Sequence, residues 1–550
     1  MVVVGSGCAG LTSAIVAAKQ GLKVLVVEKS KYFGGTTAYS GGGAWIPVNK
    51  HQPAIGVTDD SREKAETYLQ RVLGPELYDP SKIKAFLDSG PEMVRWIEEN
   101  SSMKFKPVPL PDYHVSKEGS SVGRTMLTQE FDGQVLGRRR LRDVRYTLQG
   151  FHAFGSMQAD PVELAVLTRP FASLQNFSTA TAKLVRYVID VVRFGKGAFM
   201  ANGNALVGRL LHTCDQEGVS LWKSSPAVSL THDPTDKVTG VVIAKENGET
   251  ETVEARKAVI LASGGFGRSE KARKYLPHDH CAAPKHNVGD GIKLAVEVGA
   301  VLPPANPDNG IFAPISVLTT KTGQVRRFPH FAIDRSKPGS IIVGPDGRRF
   351  ANESAPYQEF VRTMHQLNIS KAYFIGDRPF LRKYGMGMAL PAPLPVRHLI
   401  RQGYLIEAPS IEQLAHKIGV PADVLQQTVS QANENARKGK DPEFQRGGNA
   451  YDNFYGDPAT GLPNPNLGLC VKGPFYALPI YPGNVSSVYG VATNENAQAL
   501  DSQGKPIPGL YAIGLDQNSV MRGTYPGGGC SIGPSMTFGY RSALHVAGKL

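Results

Sequence analysis

Residues 2–28 constrain the fold more than any other stretch of this 550-residue chain. Val2, Val3 and Val4 lead into Gly5-Ser6-Gly7-Cys8-Ala9-Gly10, an apolar helical pattern runs on to about Gln20, and Lys23 to Glu28 reads as a second strand closing on an acid. A lone G-x-G-x-x-G is a weak signal. Here it joins a strand to a helix and an acidic residue follows at the end of the next strand, which is the context that dinucleotide binding requires. The glycines allow a tight turn, the pyrophosphate lies on the helix N-terminus, and Glu28 is placed for a ribose hydroxyl. The expected class is therefore α/β, with a Rossmann-type cofactor domain.

Three further stretches describe what that domain holds. Phe33 to Gly43 is a dense run of glycines and small residues, suited to a segment pressed against a large planar cofactor. A nicotinamide enzyme does not need such a run; a flavin enzyme does. Lys257 to Phe266 reads as a buried strand ending in glycines, a second cofactor contact. In Arg522 to Pro534, glycines at 527, 528, 529 and 533 let a flat ligand approach the main chain. Pro534 is placed as the first residue of a helix running to about Ala547, with its positive end aimed back at that loop.

Between these stretches, residues 61–99 read as a long helical region, and Val219 to Trp222 and Val238 to Ala244 as strands. Ile341 to Phe350 carries a hairpin signal, Asp346-Gly347 between apolar runs. Pro421 to Lys438 reads as a helix, and strands resume from about Val488. The expected organisation is a cofactor domain over 1–278, an inserted α+β catalytic, or capping, domain over 279–484, and completion of the cofactor domain by 485–550.

Composition excludes several classes. With 41% hydrophobic and 20% charged residues the chain is ordinary for a globular protein, with core enough for two or more domains. No uncharged apolar run is long enough to span a bilayer. The fingerprint begins at Val2, so no signal peptide is expected ahead of it. Cys8, Cys214, Cys281, Cys470 and Cys530 are scattered without a C-x-x-C pair, which points to a reducing, cytoplasmic setting and to neither disulfides nor a metal site. The formal charge of +13 favours anionic surfaces. No nucleic-acid partner is expected, because no helix-turn-helix, finger or aromatic RNA-binding motif occurs. Residues 160–197 mix apolar residues at helical spacing with Arg169, Lys183, Arg186, Arg193 and Lys196. Ordinary packing onto the domain is the expected role, with an interfacial helix in peripheral membrane contact as the alternative. Pro170 should interrupt that helix or open a new one.

The fingerprint with Glu28, the run from Gly34 to Gly43, the Ala262-to-Gly265 strand end and the terminal glycine loop together resemble the flavoprotein family of fumarate reductases and 3-ketosteroid dehydrogenases, over nearly the whole chain. Within it, the stretches Pro111 to His114, Asn352 to Phe360 and Tyr525 to Gly529 resemble the three tyrosine motifs of 3-ketosteroid Δ1-dehydrogenases. That resemblance implies non-covalent FAD, since no His occurs in the glycine run after Phe33. It places the cofactor against Gly5, Gly7, Ala9, Gly10, Glu28, Lys29, Gly35, Thr36, Thr37, Ser40, Gly41, Gly42, Val228, Ala262, Gly264, Gly514, Asp516, Ser531 and Ile532. It implies Tyr357 as base, Tyr113 as its hydrogen-bond partner, and Tyr525 with the Gly529 N–H as holders of a ketone oxygen. The implied substrate is a 3-ketosteroid and the implied electron acceptor is quinone- or dye-like.

Those roles suit 1,2-desaturation. Removing the C2 proton requires a polarised C3 carbonyl, and a phenol with a backbone N–H forms an oxyanion hole. A tyrosine base starts from a free pKa near 10, which a hydrogen bond from Tyr113 to the phenolate would lower, so activity should rise on the alkaline side. Two departures bear on the cofactor wall. Leu515 stands where the family has Asn or an acid, so the ribityl contact passes to Asp516 or is lost, and Asn484 to Gly490 replaces a glycine-rich turn. The alternatives are a 3-keto-5α-steroid 4-dehydrogenase with similar tyrosines, a soluble fumarate reductase-like enzyme using Arg335 and His330, and a non-catalytic flavin or lipid binder.

Overall fold

The computed structural model describes residues 1–550 except 160–162, 164, 165, 168, 169 and 246. At its centre is a six-stranded sheet in the order Gln498–Leu500, Pro506–Ala512, Val259–Leu261, β1 (Val2–Val4), β2 (Leu25–Val27) and Ser220–Trp222. Every pairing is parallel except that of the 498–500 edge strand. β1 is buried on both faces, as an unbroken β-branched run at the middle of a parallel sheet should be. Val3, Val26 and Ile260 pack on the side of helix α1 (Cys8–Lys19) and the C-terminal helix Ile532–Val546. Val2, Val4, Val259 and Leu261 pack on the other side, towards a three-stranded sheet over residues 227–254.

Residues from both ends of the chain thus share one sheet, while the middle builds its own. Ser340–Val343, Ala372–Asp377, Phe475–Ile480 and Ile406–Ala408 form an antiparallel sheet. Helix Tyr357–Gln366 covers one face through Phe360, Val361 and Met364. Helices Ile411–Ile418 and Ala422–Lys438 cover the other through Leu414, Leu425 and Val429.

Several elements differ from their sequence reading. The 61–99 region is two helices, Arg62–Leu73 and Pro80–Asn100. Gly74 ends the first, and Asp79 caps the second with Pro80 in its first turn. The C-terminal helix starts at Ile532, so Pro534 is its third residue; the first four N–H groups lack intrahelical partners, which makes a proline there costless. The Asp346-Gly347 turn closes, with the Gly344 N–H donating to the Arg348 carbonyl at 2.8 Å. Its return arm adds only a bridge between Val343 and Arg349, and the 340–343 strand pairs instead with 372–377.

The basic stretch departs most. Its predicted residues Val162, Leu164 and Arg169 lie outside the described residues, and Pro170 sits in a turn. Helix Leu174–Phe194 begins after Ser173, whose hydroxyl caps the Asn176 N–H. Asp190 is the sole residue of this helix that is buried; Phe194 packs against the main core, but Leu174, Val185, Val188, Ile189 and Val192 are exposed, so the expected packing of an apolar face onto the domain is only partial. Among the described residues no helix is long and apolar enough to cross a membrane.

Candidate active site

A cavity of about 1130 Å³ runs from the β1–α1 turn to the start of helix Tyr357–Gln366 and the loop at residues 387–394. The turn is tight for a steric reason: at Gly5 φ is +112°, and a Cβ there would lie 2.1 Å from the Ala262 carbonyl oxygen. The turn presents Gly7, Cys8 and Ala9 at the N-terminus of α1 to the cavity, and Ser531, Ile532 and Ser535 present the N-terminus of the C-terminal helix. Two positive helix ends therefore face one space, a fit to anionic and electron-rich parts of a ligand. Glu28, just after β2, also lines it. Its carboxylate is oriented by the Ser6 hydroxyl at 2.7 Å and the Ser30 N–H at 2.9 Å. Gly35, Thr36, Thr37, Ser40, Gly41, Ala262, Gly264 and Gly514 complete the wall, and Asn287 donates to the Thr36 hydroxyl at 2.8 Å. This set of backbone edges, hydroxyls and one carboxylate fits a dinucleotide.

The remaining expected cofactor residues stand behind the wall or away from it. Gly5, Gly10 and Gly42 shape the backbone without lining the cavity, and Lys29 pairs with Asp290. Val228 is 43% exposed on strand Ala227–His232, outside the lining. Asp516 lies outside the cavity lining. Its carboxylate accepts the Ser263 N–H and hydroxyl, and burial pushes its pKa up to about 7. Leu515 lines the cavity in its stead, as do Val485 and Ser486 from the stretch that departs from the family.

Beyond the cofactor region Tyr113, Tyr357 and Tyr525 line the same cavity, each nearly fully buried. Their rings lie 5.4 to 5.7 Å apart, and the Tyr113 hydroxyl donates to the Tyr357 hydroxyl at 3.3 Å. Local structure explains the convergence. Tyr357 opens helix Tyr357–Gln366. The Tyr113 N–H donates to the Pro526 carbonyl at 2.9 Å, which ties the first tyrosine to the loop carrying the third. The Tyr68 hydroxyl donates to that same carbonyl at 2.6 Å. Under Tyr113, buried Asp112 accepts from Trp45 Nε1 and Arg124 Nη1, both at 2.8 Å, and Arg124 also pairs with Asp60. Gly529 has φ +97°, and the Trp45 N–H donates to its carbonyl.

Burial dominates the electrostatics. It holds the Tyr357 phenol well above its ordinary value, reinforced by Tyr525 and opposed by the hydrogen bond from Tyr113. Tyr525 is pushed up to about 12 by burial, while hydrogen bonding from the Tyr357 hydroxyl first, then from the Ser531 hydroxyl and the Gly529 N–H, pulls it down. The Tyr525 hydroxyl thus has hydroxyl and backbone N–H donors around it in the cavity.

Two site tyrosines were not singled out from sequence. Tyr451 packs on Tyr113 with ring centroids 4.8 Å apart, and Tyr455 lines the cavity one turn later on helix Ala450–Tyr455. Their four-residue spacing was the available signal. Phe331 packs on Tyr357 at 4.9 Å. Arg335 and His330, the pair a dicarboxylate reductase would need, are both fully buried outside the cavity lining. Arg335 donates to the carbonyls of His330, Glu353 and Ala355, and His330 bonds Asp334 and Ser316. No Arg or Lys lines the cavity among the described residues; its far wall is Phe151, Phe154, Phe177, Leu184, Phe328 and Leu394.

Residues 1–532 match the model of the FAD binding domain family. Along its whole length the chain is 38% identical to a 4-oxocyclohex-2-ene-1-carboxylate 5-dehydrogenase of Sinomonas cyclohexanicum, covering 93% of that protein. It is 35% identical to a 3-oxosteroid 1-dehydrogenase of Mycobacterium tuberculosis, covering 98% of it. A crystal structure of the 3-ketosteroid Δ1-dehydrogenase of Sterolibacterium denitrificans in complex with 1,4-androstadiene-3,17-dione superposes with a TM-score of 0.89 at 34% identity, covering 100% of this chain and 99% of that one. With the cavity as described, these likenesses establish that the chain belongs to the FAD binding domain family and is an FAD-dependent dehydrogenase of the ketosteroid dehydrogenase kind.

Proposed function

We propose that this enzyme desaturates the C1–C2 bond of 3-ketosteroids. The observation that carries the reading is the convergence of Tyr113, Tyr357 and Tyr525, distant in sequence, on one cavity with the first two hydroxyls in contact at 3.3 Å. The C3 carbonyl oxygen is received by the Tyr525 hydroxyl and the Gly529 N–H, which acidifies the C2–H. Tyr357 removes the C2 proton, and the Tyr113 hydroxyl donates to the phenolate as it forms. Tyr451 and Phe331 hold those two rings by packing. FAD, when bound, supplies acceptance of the hydride that leaves C1. Gly7, Glu28, Thr37, Gly264 and Ser531 are the residues we assign to holding it, within a cofactor domain of residues 1–278 and 485–550. The reduced enzyme then passes its electrons to a quinone- or dye-like acceptor.

The wall favours a fused-ring ketone over a small carboxylated one. The Sinomonas cyclohexanicum relative is named for a cyclohexene carboxylate. A carboxylate in a buried apolar site needs a cationic partner; the described lining offers no Arg or Lys, and burial holds its histidine, His152, below the ordinary imidazole value. The decisive experiment is anaerobic bleaching of the bound flavin by a panel of saturated and Δ4 3-ketosteroids and by 4-oxocyclohexanecarboxylate, with the new double bond located by NMR. Bleaching by steroids with a 1,2-double bond in the product supports the reading. A new double bond formed at C4–C5 of a saturated 3-ketosteroid, or bleaching by the carboxylate alone, refutes it.

A further inference from the structure

A polar atom buried without a hydrogen-bond partner is rare in a folded chain and calls for an explanation, such as an ion that it binds. Three of them, Arg268 Nε, His280 Nδ1 and Arg327 Nε, gather on the far side of the strands that wall the cavity, outside its lining. Local structure brings them together. Arg268 follows the glycine-ended strand Val259–Leu261, and its N–H donates to the Asn287 carbonyl at 2.9 Å. Gly267, just before it, packs so closely on Cys281 that a Cβ would lie 2.8 Å from the sulfur. His280 precedes that cysteine on a short strand paired with Gly483 and Asn484, and its ring lies 4.8 Å from that of Tyr481. Tyr481 and Ile315 exchange backbone hydrogen bonds at 2.9 and 2.8 Å. Ile315 opens the strand Ile315–Thr319, whose partner Val325–Pro329 carries Arg327 opposite Val317.

The charges of the cluster bear on one another. Burial and then Arg268 hold the Arg327 guanidinium below its ordinary value, and burial and then Arg327 lower His280. Two like charges therefore stand within reach of each other, where an anion between them would relieve the repulsion. No carboxylate of the chain does so: neither arginine forms an ion pair among the described residues, and the adjacent acid, Asp279, is taken by Arg273 at 2.8 Å. All three side chains are only partly buried, so a dissolved ligand can reach them. Two guanidinium forks and a neutral ring with its proton on Nδ1 form a set of donors without acceptors, which is the complement of a tetrahedral oxyanion.

We propose that Arg268, His280 and Arg327 form a second ligand site, which binds a phosphate oxyanion, free or carried on an organic phosphate, behind the wall of the cavity. Arg268 comes from the stretch read as cofactor domain and Arg327 from the inserted middle of the chain, so a bound phosphate braces the two against each other. The test is calorimetric titration of the FAD-loaded full chain with inorganic phosphate in chloride buffer. FAD then occupies its own diphosphate site, and no ketone is present, so the result stands apart from the ketosteroid reading. One phosphate binds per chain. R268Q and R327Q each bind it at least about tenfold more weakly, through loss of charge-assisted hydrogen bonds, and keep their flavin. K271Q removes one exposed charge three residues from Arg268 and binds within about threefold of wild type. Titration with AMP, with adenosine as its control, separates the two sources: AMP binding tighter than phosphate assigns the site to an organic phosphate, and weaker binding assigns it to the free ion. Absence of saturable binding by either overturns the proposal. Equal losses in K271Q and the two arginine variants overturn it as well, since net charge alone would then account for binding. A phosphate-soaked crystal of the wild type gives a reading that does not depend on how the variants fold: phosphate between the two guanidinium groups supports the site, and phosphate bound only elsewhere overturns it.

Discussion

Tyr525→Phe removes one hydroxyl and keeps the ring that packs against Tyr113 and Tyr357 at 5.6 and 5.4 Å. The oxygen it deletes is fully buried, with the Gly529 N–H and Ser531 hydroxyl beside it. The donor is therefore preorganised. Losing one such donor costs about 3 to 4 kcal/mol in the transition state, or roughly 10²- to 10³-fold in kcat. The Gly529 N–H is backbone and survives, so activity falls to a measurable floor. Because the ground-state ketone binds mainly through apolar contact, KM should move by less than about threefold. The assay is steady-state dye reduction by the best ketosteroid of the bleaching panel, with flavin content and Tm recorded as folding controls. A kcat within about tenfold of wild type in a flavin-loaded protein refutes the oxyanion role of Tyr525.

Other perturbations test neighbouring parts of the account. Since burial holds the Tyr357 phenol well above its ordinary value, kcat/KM should climb from pH 7 towards the alkaline side. A flat profile over that range contradicts a tyrosine base. Asp112→Asn breaks one side of the buried Arg124 pair and should cost about 3 to 5 kcal/mol, seen as a lowered Tm with less retained flavin. A Tm within a degree of wild type would show that this network does not hold the Tyr113 loop. Gly529→Ala places a Cβ 2.4 Å from the Gly43 carbonyl oxygen at a φ of +97°, so the purified protein should be largely colourless. A fully yellow, active G529A contradicts the geometry given for that loop.

Local patterns carried most of the wall expected to meet the cofactor. The β1–α1 turn, the Gly35-to-Gly41 run and the Ser531–Ile532 helix start are continuous in sequence, each with its own steric signature, and the cavity lining contains them. Three tyrosines were legible through their surrounding motifs, although their convergence depends on hydrogen bonds such as Tyr113 to Pro526 that join remote segments. Tyr451 carried no comparable motif, since its place against Tyr113 is set by tertiary packing alone. Asp516 stands outside the lining, because an acid beside a glycine turn reads the same in sequence whether it faces the cavity or Ser263. The helix Leu174–Phe194 shows the limit of periodicity: the apolar arc was visible, but which arc meets the protein depended on partners of Asp190 at 134 and 198. A period of 3.6 says that two faces differ and is silent on which one turns inward.

The most direct measurement is the anaerobic, single-turnover rate of flavin bleaching by ketosteroid in Tyr357→Phe beside the wild type, at equal flavin loading and saturating substrate. If Tyr357 takes the C2 proton, the variant should bleach at least about 10³-fold more slowly while binding the ketone normally. Bleaching within a few-fold of the wild-type rate would contradict the account at its centre.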